Sequence, residues 1–253
     1  MPRTMITDHQ WIRLKIILLQ LGIYNKHNLR RTLEGILFRL RTGISWRELP
    51  SDFGHWTQVY RCFLLRWSKQ GKITALFKVL QFCPDKEWLF IDGSYVKVHQ
   101  YACNVTDKQE QGIGKSIGGN TTKIHLMVDA CGNPVDFIIT GGQVHDVKVA
   151  PMLIEQHNIT QTKMACADKG YDCDKPRDVI RQTNTKPNIP KRCNSKSKGH
   201  PMDWYMYKTR HLVENNFAAL KQFRAIATRF DKLQLCYQSS VALGCVYYWM
   251  KLL

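Results

Sequence analysis

Between Asp8 and about Leu80, apolar residues recur three and four positions apart in WIRLKIILLQL, RRTLEGILFRLRTG and VYRCFLLRW, the spacing of one buried helix face. The intervening stretches ISWRELPSDFGHW and SKQGK carry the Pro, Gly, Ser and Asp that end helices and start new ones. The pattern predicts a compact bundle of three or four helices. A helix from Thr57 to Trp67 would present Arg61 and Arg66 to phosphates or bases if the bundle holds a helix-turn-helix. A plain helical scaffold or dimerisation unit explains the pattern equally well.

After CPDKE the texture changes to strands: WLFID, then KIHLMVDA and PVDFIITG, with CGNP joining the last two as a hairpin. A helix from Asp146 through His157 follows, then an apolar run MACAD, a helix from Lys175 to Gln182, a strand NIPK, a basic loop to His200 and an amphipathic helix over YKTRHLVENNFAALK. This order predicts an α/β sheet of mixed direction with helices on its faces, behind a small all-helical domain. The boundary falls between residues 1–84 and 85–253.

WLFI ends in Asp92 and MACA ends in Asp168, each followed at once or nearly so by glycine. Ligands of α/β proteins bind outside the carboxyl ends of strands, so two such acids on neighbouring strands could share a divalent cation. In the last helix, about 100° per residue puts Tyr207, Arg210, Glu214 and Lys221 on one face, with Leu212, Val213, Leu220 and Phe223 opposite. A solvated charged face would explain that stripe by itself. With Asp92 and Asp168, Glu214 instead makes a third oxygen donor, a set suited to Mg2+ or Mn2+. Two such ions can drive in-line displacement at phosphorus.

Composition supports a polyanionic partner. Thirty-seven Lys and Arg against twenty Asp and Glu give a net charge of +17, the footprint of a nucleic-acid binder. From Lys186 to Lys232 eleven basic residues stand against Asp203, Glu214 and Asp231, so phosphate binding beside Glu214 is expected. No apolar run approaches the roughly 20 residues of a spanning helix, and the N-terminus lacks a signal-peptide core. A cytosolic chain without a membrane partner is expected. The nine cysteines have no pairwise or histidine spacing typical of a zinc site and sit largely in apolar runs, as small hydrophobes do. GIGKS at 112–116 ends like a phosphate-binding loop, but the first glycine of that motif would fall at Gln109. It reads as a flexible basic loop.

The spacing Y-x2-R-x3-E-x6-K is met in full by Tyr207, Arg210, Glu214 and Lys221, while Asp92 lies in IDGSYVKVH and Asp168 in ADKGYD. With TTKIH, GGQVHD, KQFRAIATRFDK and RTGISWRELPSDFGHWTQVYRCFLLRW, the chain resembles a DDE transposase of the insertion sequence 5 family over nearly its whole length. The resemblance implies a ribonuclease-H-like domain in which Asp92, Asp168 and Glu214 hold two Mg2+ ions, Mn2+ being able to substitute. It also implies cleavage at the terminal inverted repeats of an insertion element and joining of the 3′ ends to target DNA. A homodimeric active complex in the bacterial cytoplasm, at the nucleoid, goes with that reading. Tyr207, Arg210 and Lys221 would contact DNA, with Lys169 beside Asp168, and the N-terminal domain would help recognise the ends. His145 in the GQ-x-HD pattern would approach the metals.

Two positions depart from the family pattern. Ile117 stands where relatives have a basic residue, and Asn216 falls on the apolar side of its helix, where it needs a partner. Asp146 is expected to cap its helix, Asp129 to take a surface position or a turn, and Asp172 and Asp174 to cap the next helix. Two alternatives to a transposase stay open: a catalytically inactive DNA-binding regulator or domesticated relative, and a nuclease without strand transfer.

Overall fold

In the computed structural model the described residues are 4–81, 83–103, 111–157, 159–195 and 201–252. The end of the basic loop running to His200 lies outside them. The chain divides into two compact units: Met1–Phe82, His99–Thr106 and Leu220–Leu253 in one, Cys83–Val98 and Asp107–Ala219 in the other. The C-terminal segment thus clusters with the N-terminal helices, whereas a single cut after residue 84 assigns it to the sheet.

The first unit contains α1 (Asp8–Gln20), α2 (Leu29–Thr42), α3 (Trp56–Arg61) and α4 (Lys72–Val79). Thr7 and Gln10 close α1 with a reciprocal capping box, at 3.2 and 3.0 Å. Gly43 ends α2 at φ +70°, in the left-handed region where a side chain is strained. The expected helix over 57–67 changes character partway, since α3 passes into a π-helical turn over Cys62–Ser68. Residues 43–55 between α2 and α3 hold two short 3-10 turns, Trp46–Glu48 and Ser51–Phe53. That connection is far longer than the three or four residues of a helix-turn-helix.

The second unit is built on strands β1 (Trp88–Val98), β2 (Gly114–Ser116), β3 (Gly119–Val128), β4 (Pro134–Gly141), β5 (Met164–Ala167) and β6 (Lys186–Asn188). β1 pairs antiparallel with β3 and parallel with β5; β3 also carries β2 and β4 antiparallel, and β6 extends β5 in parallel. GIGKS is therefore not a loose loop but the start of a hairpin, turned by Gly119 at φ +90°. The expected strand NIPK is displaced: β6 runs Lys186–Asn188 and shares only Asn188 with it, and Pro187 inside β6 suits an edge strand with one free side.

Helices α5 (Asp146–His157) and α6 (Asp174–Gln182) pack on one face, where Leu89, Ile91, Ala165 and Ala167 meet Leu153 and Ile180 in one buried cluster. Phe90, Leu126, Val128 and Cys166 alternate to the other face and are equally buried. This is the ribonuclease-H-like arrangement of a mixed sheet with flanking helices.

The last amphipathic stretch is broken. It forms α7 (Trp204–Lys208) and α8 (His211–Lys221), separated at Thr209 and Arg210, so one continuous wheel does not describe it. The apolar side survives the break, with Val213 and Leu220 buried.

Candidate active centre

Asp92 does not end its strand. It lies within β1 opposite Leu126 of β3, and the register Phe90 to Cys166 and Ile91 to Ala167 brings Asp168 to the adjacent position as β5 stops. Alternation puts Asp92 on the Phe90 face, and Asp168 follows Cys166 in the same sense. Asp168 accepts from Gly170 N at 2.7 Å, starting a turn that Arg192 braces by donating to the carbonyls of Lys169 and Gly170. Arg192 carries no motif, and sequence reasoning misses it.

Arg210 joins the acids. Its Nη1 donates to Asp92 Oδ2 at 2.8 Å, and its Nη2 donates to Glu214 Oε1 one helical turn on. The break between α7 and α8 sets Arg210 at the junction, 5.9 Å from the centre of the Tyr207 ring. Burial raises the Asp92 pKa and the Asp168 charge adds to it, while the Gly93 N–H and Arg210 oppose them; the net direction is up. The Glu214 side chain is 54% exposed against 20% for Asp92, so Glu214 is the acid with room to reorient.

Behind the acids stands Tyr171, 1% exposed, whose pKa burial and the charges of Asp146, Asp92 and Asp168 drive well up. Its hydroxyl has no hydrogen-bond partner among the described residues. Nothing in its spacing singles it out in the sequence.

The remaining expected residues scatter. Lys169 is exposed beside Asp168, and Lys221 is half-buried at the end of α8, where burial lowers its pKa. His145 is exposed; it is His125 of β3 that lies beside an acid, 3.1 Å from Asp146. Asp146 turns its carboxylate to Lys123 and His125 rather than serving only as a helix cap. Asp129 is fully buried, not at the surface, yet it does build the hairpin turn, accepting from Asp85, Cys131 and Asn133. Asp172 pairs with buried Arg177; the cap position of α6 is Cys173. Asn216 finds its partner, donating to Gly132 O at 2.9 Å, and Ile117 is fully exposed.

In the helical unit, Arg61 and Arg66 are both exposed. Arg66 lines a concavity of about 260 Å3 together with Tyr24, Lys26, Gln70 and Lys72, and no acid lines it among the described residues. No described helix is long and apolar enough to cross a membrane.

Residues 84–249 match the family described as "Transposase DDE domain", and residues 6–77 match the one described as "Putative transposase of IS4/5 family". A Brucella ovis protein named "Putative transposase for insertion sequence element IS6501" is 33% identical over 132 residues, 52% of this chain and 99% of that protein. A Burkholderia cepacia protein named "Putative transposase for insertion sequence element IS402" is 28% identical over 151 residues, 56% of this chain and 64% of that protein. In fold, the chain is similar to the piggyBac transposase of a synaptic complex with hairpin DNA, with a TM-score of 0.53 and 11% identity, covering 97% of this chain and 73% of that one. A match over most of the length, across the stretch that carries Asp92, Asp168 and Glu214, decides the family: the chain belongs to the DDE transposases of the IS4/5 type.

Proposed function

We propose that this transposase cleaves DNA at the terminal inverted repeats of its own insertion element and joins the freed 3′ ends to target DNA, with Asp92, Asp168 and Glu214 as the catalytic acids. The observation that carries the reading is the linkage of acids from β1 and α8 through Arg210, with Asp168 on the neighbouring strand close enough to perturb Asp92. Three carboxylates offer the hard oxygen donors that Mg2+ or Mn2+ takes. Among the described residues no three such groups are drawn together tightly enough to hold an ion as they stand. Arg210 supplies the positive charge between Asp92 and Glu214, and the chemistry of three carboxylate donors, rather than their present spacing, is what favours a cation there. A bound pair of divalent ions would stabilise the attacking and leaving oxygens of the displacement.

The side chains around the acids divide the rest of the work. Arg210, released from Glu214, offers its fork to a phosphate, the geometry in which guanidinium binds best. Tyr207 lies beside it, Lys169 adds charge next to Asp168, and Lys221 at the end of α8 is a further proposed DNA contact. The reading places the protein with DNA as a homodimer spanning two element ends, in the bacterial cytoplasm at the nucleoid.

The test is incubation of the protein with Mg2+ and a supercoiled plasmid carrying the gene and its flanks. Breaks at the flanks and joined 3′ ends are expected. Breaks without joining would make it a nuclease only, and binding without breaks would make it a regulator.

For end recognition, the concavity lined by Lys26, Arg66 and Lys72 is the proposed phosphate-binding surface of the helical unit. Changing all three to Gln is expected to weaken DNA binding. The slope of log affinity against log salt should flatten by about 0.9 for each phosphate that the variant no longer neutralises. Filter binding across a salt series checks this; an unchanged slope would put the phosphates elsewhere on the protein.

A further inference from the structure

Three stretches, DGSYVK, TTKIH and GGQVHD, meet on the face of the sheet opposite Asp92. Gly93 is the register partner of His125, and Tyr95 of Lys123, so all four rise from one side. Lys123 Nζ lies 2.5 Å from Asp146 Oδ2 and 4.5 Å from the centre of the Tyr95 ring. His125 Nδ1 lies 3.1 Å from Asp146 Oδ1, and its Nε2 is 2.9 Å from Thr140 Oγ1. Lys123 and His125 are 4% and 1% exposed. Burial by itself would raise the Asp146 pKa, but His125 and Lys123 outweigh it and hold the group below its ordinary value.

The trio reaches the acid through one glycine. A Cβ on Gly93 would stand 2.5 Å from Asp146 Oδ1 and 2.7 Å from Lys123 Cε, so the carboxylate rests directly on the Gly93 backbone. The N–H of Gly93 donates in turn to Asp92 Oδ1 at 2.8 Å. Buried ion pairs seldom add net stability over an apolar substitute. Arg210 holds one oxygen of Asp92 and the Gly93 N–H holds the other; a trio placed under that glycine has a use that stability does not supply.

We propose that Asp146 is a positioning residue: clamped by Lys123 and His125 against Gly93, it fixes the direction in which β1 presents Asp92, and so sets the strength with which the acids hold a divalent ion. The proposal rests on the reading of Asp92, Asp168 and Glu214 as the ion-holding acids.

The experiment is titration calorimetry of the full chain with Mn2+ alone, alongside DNA affinity measured without metal and thermal melting. Asp146→Asn is expected to weaken Mn2+ binding roughly 10- to 100-fold, the usual cost of removing a group that orients a metal ligand, with DNA affinity unchanged. The double variant Lys123→Met with Asp146→Leu removes both members of the closest buried pair and is expected to melt like the wild type while still binding Mn2+ weakly. If Mn2+ binding recovers with stability in the double variant, the trio is packing alone and the proposal falls. Asp92→Asn separates the two readings. If that variant binds Mn2+ at wild-type strength, the assignment of the acids fails and takes the proposal with it. If Asp92→Asn loses binding and Asp146→Asn does not, only the positioning role is overturned.

Discussion

Exchange of Glu214 for Gln is expected to slow DNA cleavage by on the order of 10²–10³-fold, the scale of losing one preorganised group that stabilises transition-state charge. DNA affinity and melting temperature are expected to stay put. The Glu214 side chain is 54% exposed and pairs with Arg210 across one turn of α8. Exposed pairs of this kind contribute about 0–1 kcal/mol, so the fold does not depend on it. Asp92→Asn should lose activity to the same degree for the same reason, without a matching loss of stability. Burial and the nearby charge of Asp168 both disfavour the charged form of its carboxylate, so removing the charge relieves a cost even as Arg210 loses a partner. Such a compromise between stability and activity is common where sites are built. Single-turnover cleavage of a labelled end duplex with Mg2+, set against filter binding without metal, measures both quantities. A Glu214→Gln protein that cuts about as fast as the wild type would place the third acid elsewhere.

The type of most long elements is what the sequence makes legible; the helix Gln234–Met250, buried on nearly every side, has no one-faced apolar period to announce it. The periodicities of α1 and α5 stand out because one face of each is buried against a core, and that of α2 shows although the helix is buried around most of its circumference. The break in the helix expected over YKTRHLVENNFAALK does not, since a two-residue interruption between α7 and α8 shifts the wheel without erasing its apolar side. Within that stretch Arg210, at the break itself, lies beside Tyr207 and bridges Asp92 and Glu214, while Lys221 stands at the far end of α8.

The end of β1 is hidden for a physical reason. Asp-Gly-Ser looks like a turn, but β3 offers partners all the way to the pairing of Lys97 with Thr121, and the strand continues. Asp129 counts as outward by alternation, yet four donors converge on it to make the hairpin turn. Lys123, His125 and Asp146 belong together only through the register of β3 against β1 and the approach of α5. Neither is contained in local spacing, and the family resemblance points to exposed His145 instead.

Replacing Asp231 by Ala is expected to lower the stability of the helical unit by about 3–5 kcal/mol, the range for breaking one side of a buried ion pair. Asp231 accepts from Arg39 Nη2 of α2 at 3.1 Å and from Ser240 Oγ at 3.2 Å, and the side chains of the ion pair are only 8% and 7% exposed. Arg229 Nε donates to the Asp231 carbonyl at 2.9 Å, holding the same loop. Arg39 Nε already has no hydrogen-bond partner among the described residues, so removing the carboxylate strands a charge that cannot reach water. Arg39→Met combined with Asp231→Leu should recover most of the loss, because it removes the buried charge along with its partner. Urea midpoints at an unchanged slope would measure both effects; a loss below about 1 kcal/mol for Asp231→Ala would mean that Arg39 finds solvent and the pair is not structural. The pair closes 192 residues of chain, which is why no local pattern announces it. It also argues that residues 85–253 would not stand alone as a catalytic domain. The helix from Gln234 to Met250 buries Val241, Leu243 and Cys245 in the unit that α2 and α4 build, and a fragment lacking those helices would bring that surface into water.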